Sequence, residues 1–198
     1  MREHDTLSQA GLDPVIPKVF PDRPLLIGSE IYRKSRYGAT HPLSIQRVTP
    51  VMDLVRALGL LDENCFIDSP MATPDELARF HAPDYIAAVI AAERDGHVRD
   101  EVKERYNIGR SGNPVFPEIF SRPATAAGAS LLAGRTLAAV ERGIIHSLAG
   151  GTHHGRPAMA YGFCYFNDPV LGILAMLDGG LSRVLYVDLD AHHGDGVV

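Results

Sequence analysis

The chain has 198 residues, of which 45% are hydrophobic, enough to bury one domain-sized core. Its formal net charge of -5 and the lack of any polybasic block give no electrostatic footprint for nucleic acid or for an anionic membrane surface. Two cysteines, Cys65 and Cys164, are too few for a disulfide framework and suit a reducing compartment as buried thiols. The start, Met1-Arg2-Glu3-His4-Asp5, lacks a signal-peptide core, and the most apolar stretches, Tyr85–Ala92 and Val170–Leu177, are short of a membrane span. The expectation is a soluble cytoplasmic protein.

Residues 1–24 carry Pro14, Pro17, Pro21 and Pro24 and read as an irregular N-terminal arm. A single domain is expected over 25–198. Leu25-Leu26-Ile27-Gly28 predicts a first strand, and the apolar spacing of Val48, Val51, Met52, Val55 and Leu58 predicts an amphipathic helix. Cys65-Phe66-Ile67-Asp68 predicts a second strand. Thr73-Pro74-Asp75-Glu76 resembles a capped helix start, and a further helix should run from Pro83 to about Arg94. The segment 95–118, charged and then rich in Gly, Asn and Pro, should be irregular. Ala124–Arg142 predicts a helix, Ile144–Leu148 a strand, Gly150–Phe166 a loop, Pro169–Leu177 a helix and Val184–Val187 the next strand. This alternation argues for a parallel α/β sheet.

The most informative stretch is Asp188-Leu189-Asp190-Ala191-His192-His193-Gly194-Asp195-Gly196, beyond that last predicted strand. Crowded carboxylates repel and lose solvation, and a divalent cation removes the conflict. Asp oxygen and His nitrogen suit zinc, and Asp190 and His192 are suitable ligands. A second polar cluster, Gly150-Gly151-Thr152-His153-His154-Gly155, follows the preceding predicted strand. Ligands of open α/β sheets sit beyond the carboxyl ends of the strands, so both clusters should converge on one crevice. A cation there can polarise a carbonyl and lower the pKa of bound water from about 15.7 to about 7, and an adjacent imidazole is a natural general base.

Three segments together resemble the histone deacetylase family, in particular its acetoin-utilisation deacetylase and acetylpolyamine amidohydrolase branches. They are Gly150–His154, Gly162-Phe163-Cys164-Tyr165-Phe166-Asn167-Asp168 and Val187–Gly196, with weaker echoes in His41-Pro42 with Arg47, Phe80-His81 with Tyr85-Ile86, and Asn113–Pro117. The resemblance implies an arginase/deacetylase-like parallel β-sheet flanked by helices on both faces, incomplete in residues 25–198 because the C-terminal part of the fold is absent. It implies zinc-dependent hydrolysis of an N-acyl amide such as acetyl-lysine or an acetylpolyamine. Asp190 and His192 become two of three protein metal ligands. His154 becomes the main general base and His153 its electrostatic or acid partner, with Asp188 behind His153 and Asp195 behind His154. Gly162 and Phe163 become parts of the acyl-chain channel. Backbone carbonyls around Asp188, Asp190 and His192 become a structural potassium site. Ligand type separates iron(II) poorly from zinc.

Two other readings stay open. A ureohydrolase with two metals would also place Asp-Ala-His beyond a parallel strand, but it would want a carboxylate at position 194, where this chain has Gly194. A non-catalytic metal- or partner-binding module on the same fold is the other. The family often has an acid at the position of Gly112, and its third metal ligand, second channel aromatic and transition-state Tyr or His would fall beyond Val198. The 198 residues are therefore expected to be a weakly active or inactive piece, dependent on a further C-terminal chain or on self-association.

Overall fold

The computed structural model describes residues 23–34, 37, 41–110 and 112–198. Only Arg23 and Pro24 of the expected N-terminal arm fall within them, and residues 38–40 of the loop before His41 also lie outside. Three short strands form a parallel sheet in the order β2-β1-β3: β1 (Leu25–Gly28), β2 (Phe66–Asp68) and β3 (Ile145–Ser147). Leu26 stands opposite Phe66 on one side and His146 on the other. Alternation along β1 sends neighbouring residues to opposite faces. Ile27 packs on Ala129 and Leu132 of the long helix α6 (Ser121–Ala138). Gly28 faces the other way, where an added Cβ would stand 3.0 Å from Met52 Cε of α2 (Val48–Ala57). Helices thus cover both faces of a parallel sheet, the architecture read from the pattern.

The remaining helices build the main core. A four-residue α1 (Ile31–Lys34) follows β1, and 3₁₀ turns occupy Pro42–Ser44 and Glu63–Cys65. Helix α3 (Pro74–Leu77) opens with a complete capping box: Thr73 Oγ1 accepts from Glu76 N–H, and the Glu76 carboxylate accepts from Thr73 N–H. Helix α4 (Pro83–Asp95) ends at Gly96 in the left-handed conformation, φ 69°. It buries Tyr85, Ile86 and Val89 against Leu131 of α6, Leu171 of α7 (Asp168–Asp178) and the aromatic pair Tyr165–Phe166. The Tyr85 hydroxyl donates to the Tyr165 carbonyl at 2.7 Å. That bond draws the loop preceding α7 into the core, and with it the backbone that shapes the site.

Three expectations need correction. The segment read as wholly irregular contains α5 (Asp100–Tyr106), whose sequence is nearly all charged; Val102 and Tyr106, one turn apart, are its only apolar contacts with the core. The apolar face of α2 is buried only in part: Met52 is covered while Val51 and Leu58 stay exposed. Most consequential, Val184–Val187 forms no strand. Among the described residues no strand extends a ladder to it, and Leu185 is 86% exposed and Val187 65%. An apolar run becomes a strand only when a neighbouring backbone pairs with it.

Candidate active site

A cavity of ≈ 660 Å³ opens where the loop after β3, the loop before α7 and the C-terminal segment meet. His153, His154, Gly162, Phe163, Asp190 and His192 all line it. Asp188 and Asp195 stand behind the imidazoles. His153 Nδ1 lies 2.7 Å from Asp188 Oδ2, and His154 Nδ1 lies 2.7 Å from Asp195 Oδ1. An ionised carboxylate only accepts, so in each neutral ring Nδ1 carries the proton and Nε2 keeps a free lone pair. The two rings are 4.2 Å apart between centroids, with His153 almost wholly buried and His154 slightly more open.

Both acids are held as carboxylates. The hydrogen bond from His153, then those from the Tyr186 hydroxyl (2.6 Å) and the Asp190 N–H (2.9 Å), push Asp188 well below the usual carboxylate range. Arg156 first, and His154 second, hold Asp195 down at about 2. The Arg156 Nη2–Asp195 Oδ2 distance is 2.8 Å.

The loop bearing the histidines is organised from beneath by Asp168, the first residue of α7. Its buried carboxylate accepts from Ser130 Oγ, Gly151 N–H and both the N–H and the hydroxyl of Thr152. Burial pushes its pKa up, while these donors pull it back. Across the cavity, Gly162 and Phe163 both adopt positive φ, 52° and 69°. Such a backbone costs a phenylalanine on the order of 1–2 kcal/mol. It is pinned by the Phe163 N–H donating to Asn113 Oδ1 at 3.0 Å. Gly162 also lies flat on His154, where any Cβ would come 2.4 Å from the ring. Its carbonyl accepts from the Cys164 thiol, which burial pushes up to about 12 and so keeps protonated. Cys65 and Cys164 are both buried and unpaired.

Asp190 and His192 sit on the open side of the cavity. Asp190 Oδ1 accepts from His192 N–H at 2.8 Å and lies 3.0 Å from His192 Nδ1. A carboxylate oxygen and an imidazole nitrogen are donor types that zinc takes, so Asp190 and His192 could hold part of a metal site. Among the described residues no group of three His, Cys, Asp or Glu side chains is arranged to hold an ion. The donor pair fits part of such a site.

Gly194 has a tight environment of its own. A Cβ there would stand 2.8 Å from Asp188 Oδ2 and 3.2 Å from His153 Nδ1. A carboxylate at that position, which a two-metal ureohydrolase site would want, would displace the His153–Asp188 pair. Residues that sequence reasoning did not single out include Arg156 and Ser130, whose partners Asp195 and Asp168 are distant in the chain, and Tyr186, whose hydroxyl donates to Asp188 two residues on.

A parallel α/β sheet thus carries paired imidazole–carboxylate dyads beside an Asp-x-His pair on one cavity. Residues 41–198 match the family model for the histone deacetylase domain, and the chain belongs to the histone deacetylase family. It is 36% identical over 179 residues to the acetoin utilization protein AcuC of Bacillus subtilis, covering 87% of this chain and 44% of that protein. It is 39% identical to histone deacetylase 9 of Arabidopsis thaliana, covering 81% of this chain and 38% of that one. The crystal structure of a histone deacetylase homolog from Aquifex aeolicus superposes with a TM-score of 0.82 at 40% identity, covering 88% of this chain and 46% of the other. The chain spans less than half the length of these relatives.

Proposed function

We propose that this site takes part in hydrolysis of the amide of an N-acylated amine, an acetyl-lysine or acetylpolyamine, in the protein to which these residues belong. The observation that carries the reading is the pair of imidazole–carboxylate dyads, 2.7 Å each, with both rings on the same cavity as Asp190 and His192. A zinc or iron(II) ion held by Asp190, His192 and a further ligand would supply carbonyl polarisation and water activation. His154, with Nε2 free and its ring 6.1 Å from His192 between centroids, is suited to take a proton from the attacking water. Water oxygen bonds to the acyl carbon, the C–N bond breaks, and the proton passes to the departing amine, leaving a carboxylate and a free amine. His153, more deeply buried on Asp188, stabilises charge beside it. Phe163 offers an apolar wall to the acyl-bearing chain.

No helix among the described residues is long and apolar enough to cross a membrane. The two unpaired buried thiols are consistent with a reducing cytoplasmic setting.

The test is acetate release from acetyl-lysine and acetylpolyamine by the purified protein to which these residues belong, with and without chelator. Activity should disappear with chelator and return with zinc or iron(II). Asp188→Asn and Asp195→Asn should each lower it about 10–100-fold with the fold intact. Chelator-insensitive hydrolysis, or an Asp195→Asn variant as active as the parent, would count against the assignment.

A further inference from the structure

Arg156 has no part in the chemistry above, yet its surroundings are unusually well defined. Its carbonyl lies 3.0 Å from Nδ1 of His81, a fully buried ring whose Nε2 accepts the Asn167 N–H at 2.9 Å. With Nε2 accepting, Nδ1 carries the proton and donates to Arg156, so the backbone at 156 is tied into the core. The side chain turns toward the dyad. Nη2 donates to Asp195 Oδ2 at 2.8 Å, while the other carboxylate oxygen faces His154 Nδ1 at 2.7 Å. The guanidinium carbon stands 4.4 Å from the ring centroid of Tyr161. That ring in turn meets His154 nearly edge-on, with centroids 6.1 Å apart and planes at 78°.

Arg156 Nε is buried without a hydrogen-bond partner among the described residues. The guanidinium therefore grips the carboxylate at one point, and a one-point bond leaves its plane free to rotate. The face of Tyr161 supplies the missing constraint, and cation–π contact favours it. The neighbouring dyad is built differently, since Asp188 is steadied by a hydroxyl and a backbone N–H rather than by a cation.

We propose that Arg156, braced by Tyr161, is a positioning residue for the His154–Asp195 pair. It holds one oxygen of Asp195 so that the other stays aimed at His154 Nδ1, which keeps Nε2 turned to the cavity. Neither residue touches reacting atoms in this scheme. Its kinetic consequence rests on the hydrolytic reading, but its structural consequence does not.

The experiment reads the imidazole protons directly. In protein with isotope-labelled histidine, the hydrogen-bonded Nδ1–H protons of His153 and His154 give separate downfield NMR signals, assigned with Asp188→Asn and Asp195→Asn. Arg156→Met should selectively weaken or remove the His154 signal while the His153 signal persists as a control for the fold. Arg156→Lys should restore part of it, and Tyr161→Leu should weaken it with the cation still present. If Arg156→Met disturbs both signals, Tyr161→Leu decides: selective loss at His154 supports the role. An unaltered His154 signal in Tyr161→Leu and Arg156→Met overturns it. In the hydrolysis assay, Arg156→Met should lower kcat about 10–100-fold at nearly constant KM. Absence of hydrolysis by the unsubstituted protein to which these residues belong would sink the functional reading alone, because the ring signals judge Arg156 independently.

Discussion

His81 couples the site to acid stability. Burial drops its pKa from 6.5 to about 4, so the native state keeps the ring neutral over a range where the unfolded chain takes up a proton. Stability from this group is complete above pH 6.5, falls as pH drops toward about 4, and levels off below. The whole change is on the order of 3 kcal/mol for a shift of this size. Denaturant midpoints measured across that window should show the slope, and His81→Phe should flatten it. If the slope survives in that variant, another group is responsible. Asp195 acts lower on the scale: its depressed pKa of about 2 contributes stability that is lost as pH falls from 3.8 through 2. Gly194 offers a test of a different kind. A methyl group there meets Asp188 and His153 at 2.8 and 3.2 Å, so Gly194→Ala should spread the dyad and reduce hydrolysis more than it reduces the melting temperature.

At the level of elements, what was legible in the sequence was what local chemistry dictates. Thr73 before Pro74 announced a capped helix start, to which the structure adds the Glu76 half of a capping box, and Leu25–Gly28 appears as a strand with the bounds its apolar run suggested. Helix α5 was hidden because charged residues fill most of its surface, and the missing strand at Val184–Val187 was overread because pairing is not written in a single segment. The dyads were anticipated through the family motif, whereas Arg156 on Asp195 joins residues 39 apart in the chain and carries no local signal. The contact between α6 and α7 was equally invisible. A Cβ on Gly134 would stand 2.6 Å from the Gly172 carbonyl oxygen and 2.9 Å from Ala175 Cβ. Gly134→Ala gains about 1 kcal/mol in helix propensity. Forcing two packed backbones apart costs typically about 1–3 kcal/mol, and a carbonyl cannot rotate away as a flexible side chain can. The clash should win. The variant should unfold at lower denaturant concentration, and it should loosen the loop at Gly151–Thr152, because α7 carries the Asp168 that holds it. Greater stability in Gly134→Ala would show that the helices separate more easily than this packing implies.

For the molecule as a whole, the cavity has a floor and two walls but an open side. Asp190 and His192 stand there half to mostly exposed, and Leu185, Val187 and Leu189 beside them present apolar side chains to solvent. Catalytic zinc sites use three protein ligands and a water, and on the reading proposed above Asp190 and His192 would supply two of them. We predict that a preparation consisting of these 198 residues alone binds zinc weakly and releases acetate at or near the background rate. Exposed apolar backbone without ladder partners also favours association, so the same preparation should bind a hydrophobic dye and sediment as a mixture of species. Leu185→Lys together with Val187→Lys should reduce that association without altering the His153 and His154 ring signals, since neither side chain contributes to the dyads. The decisive measurement is acetate release by material whose intact mass corresponds to the 198 residues and that is free of longer chains. Robust, chelator-sensitive hydrolysis by such material would overturn the prediction, and would mean that His193, Asp195 or another side chain completes the metal site in solution.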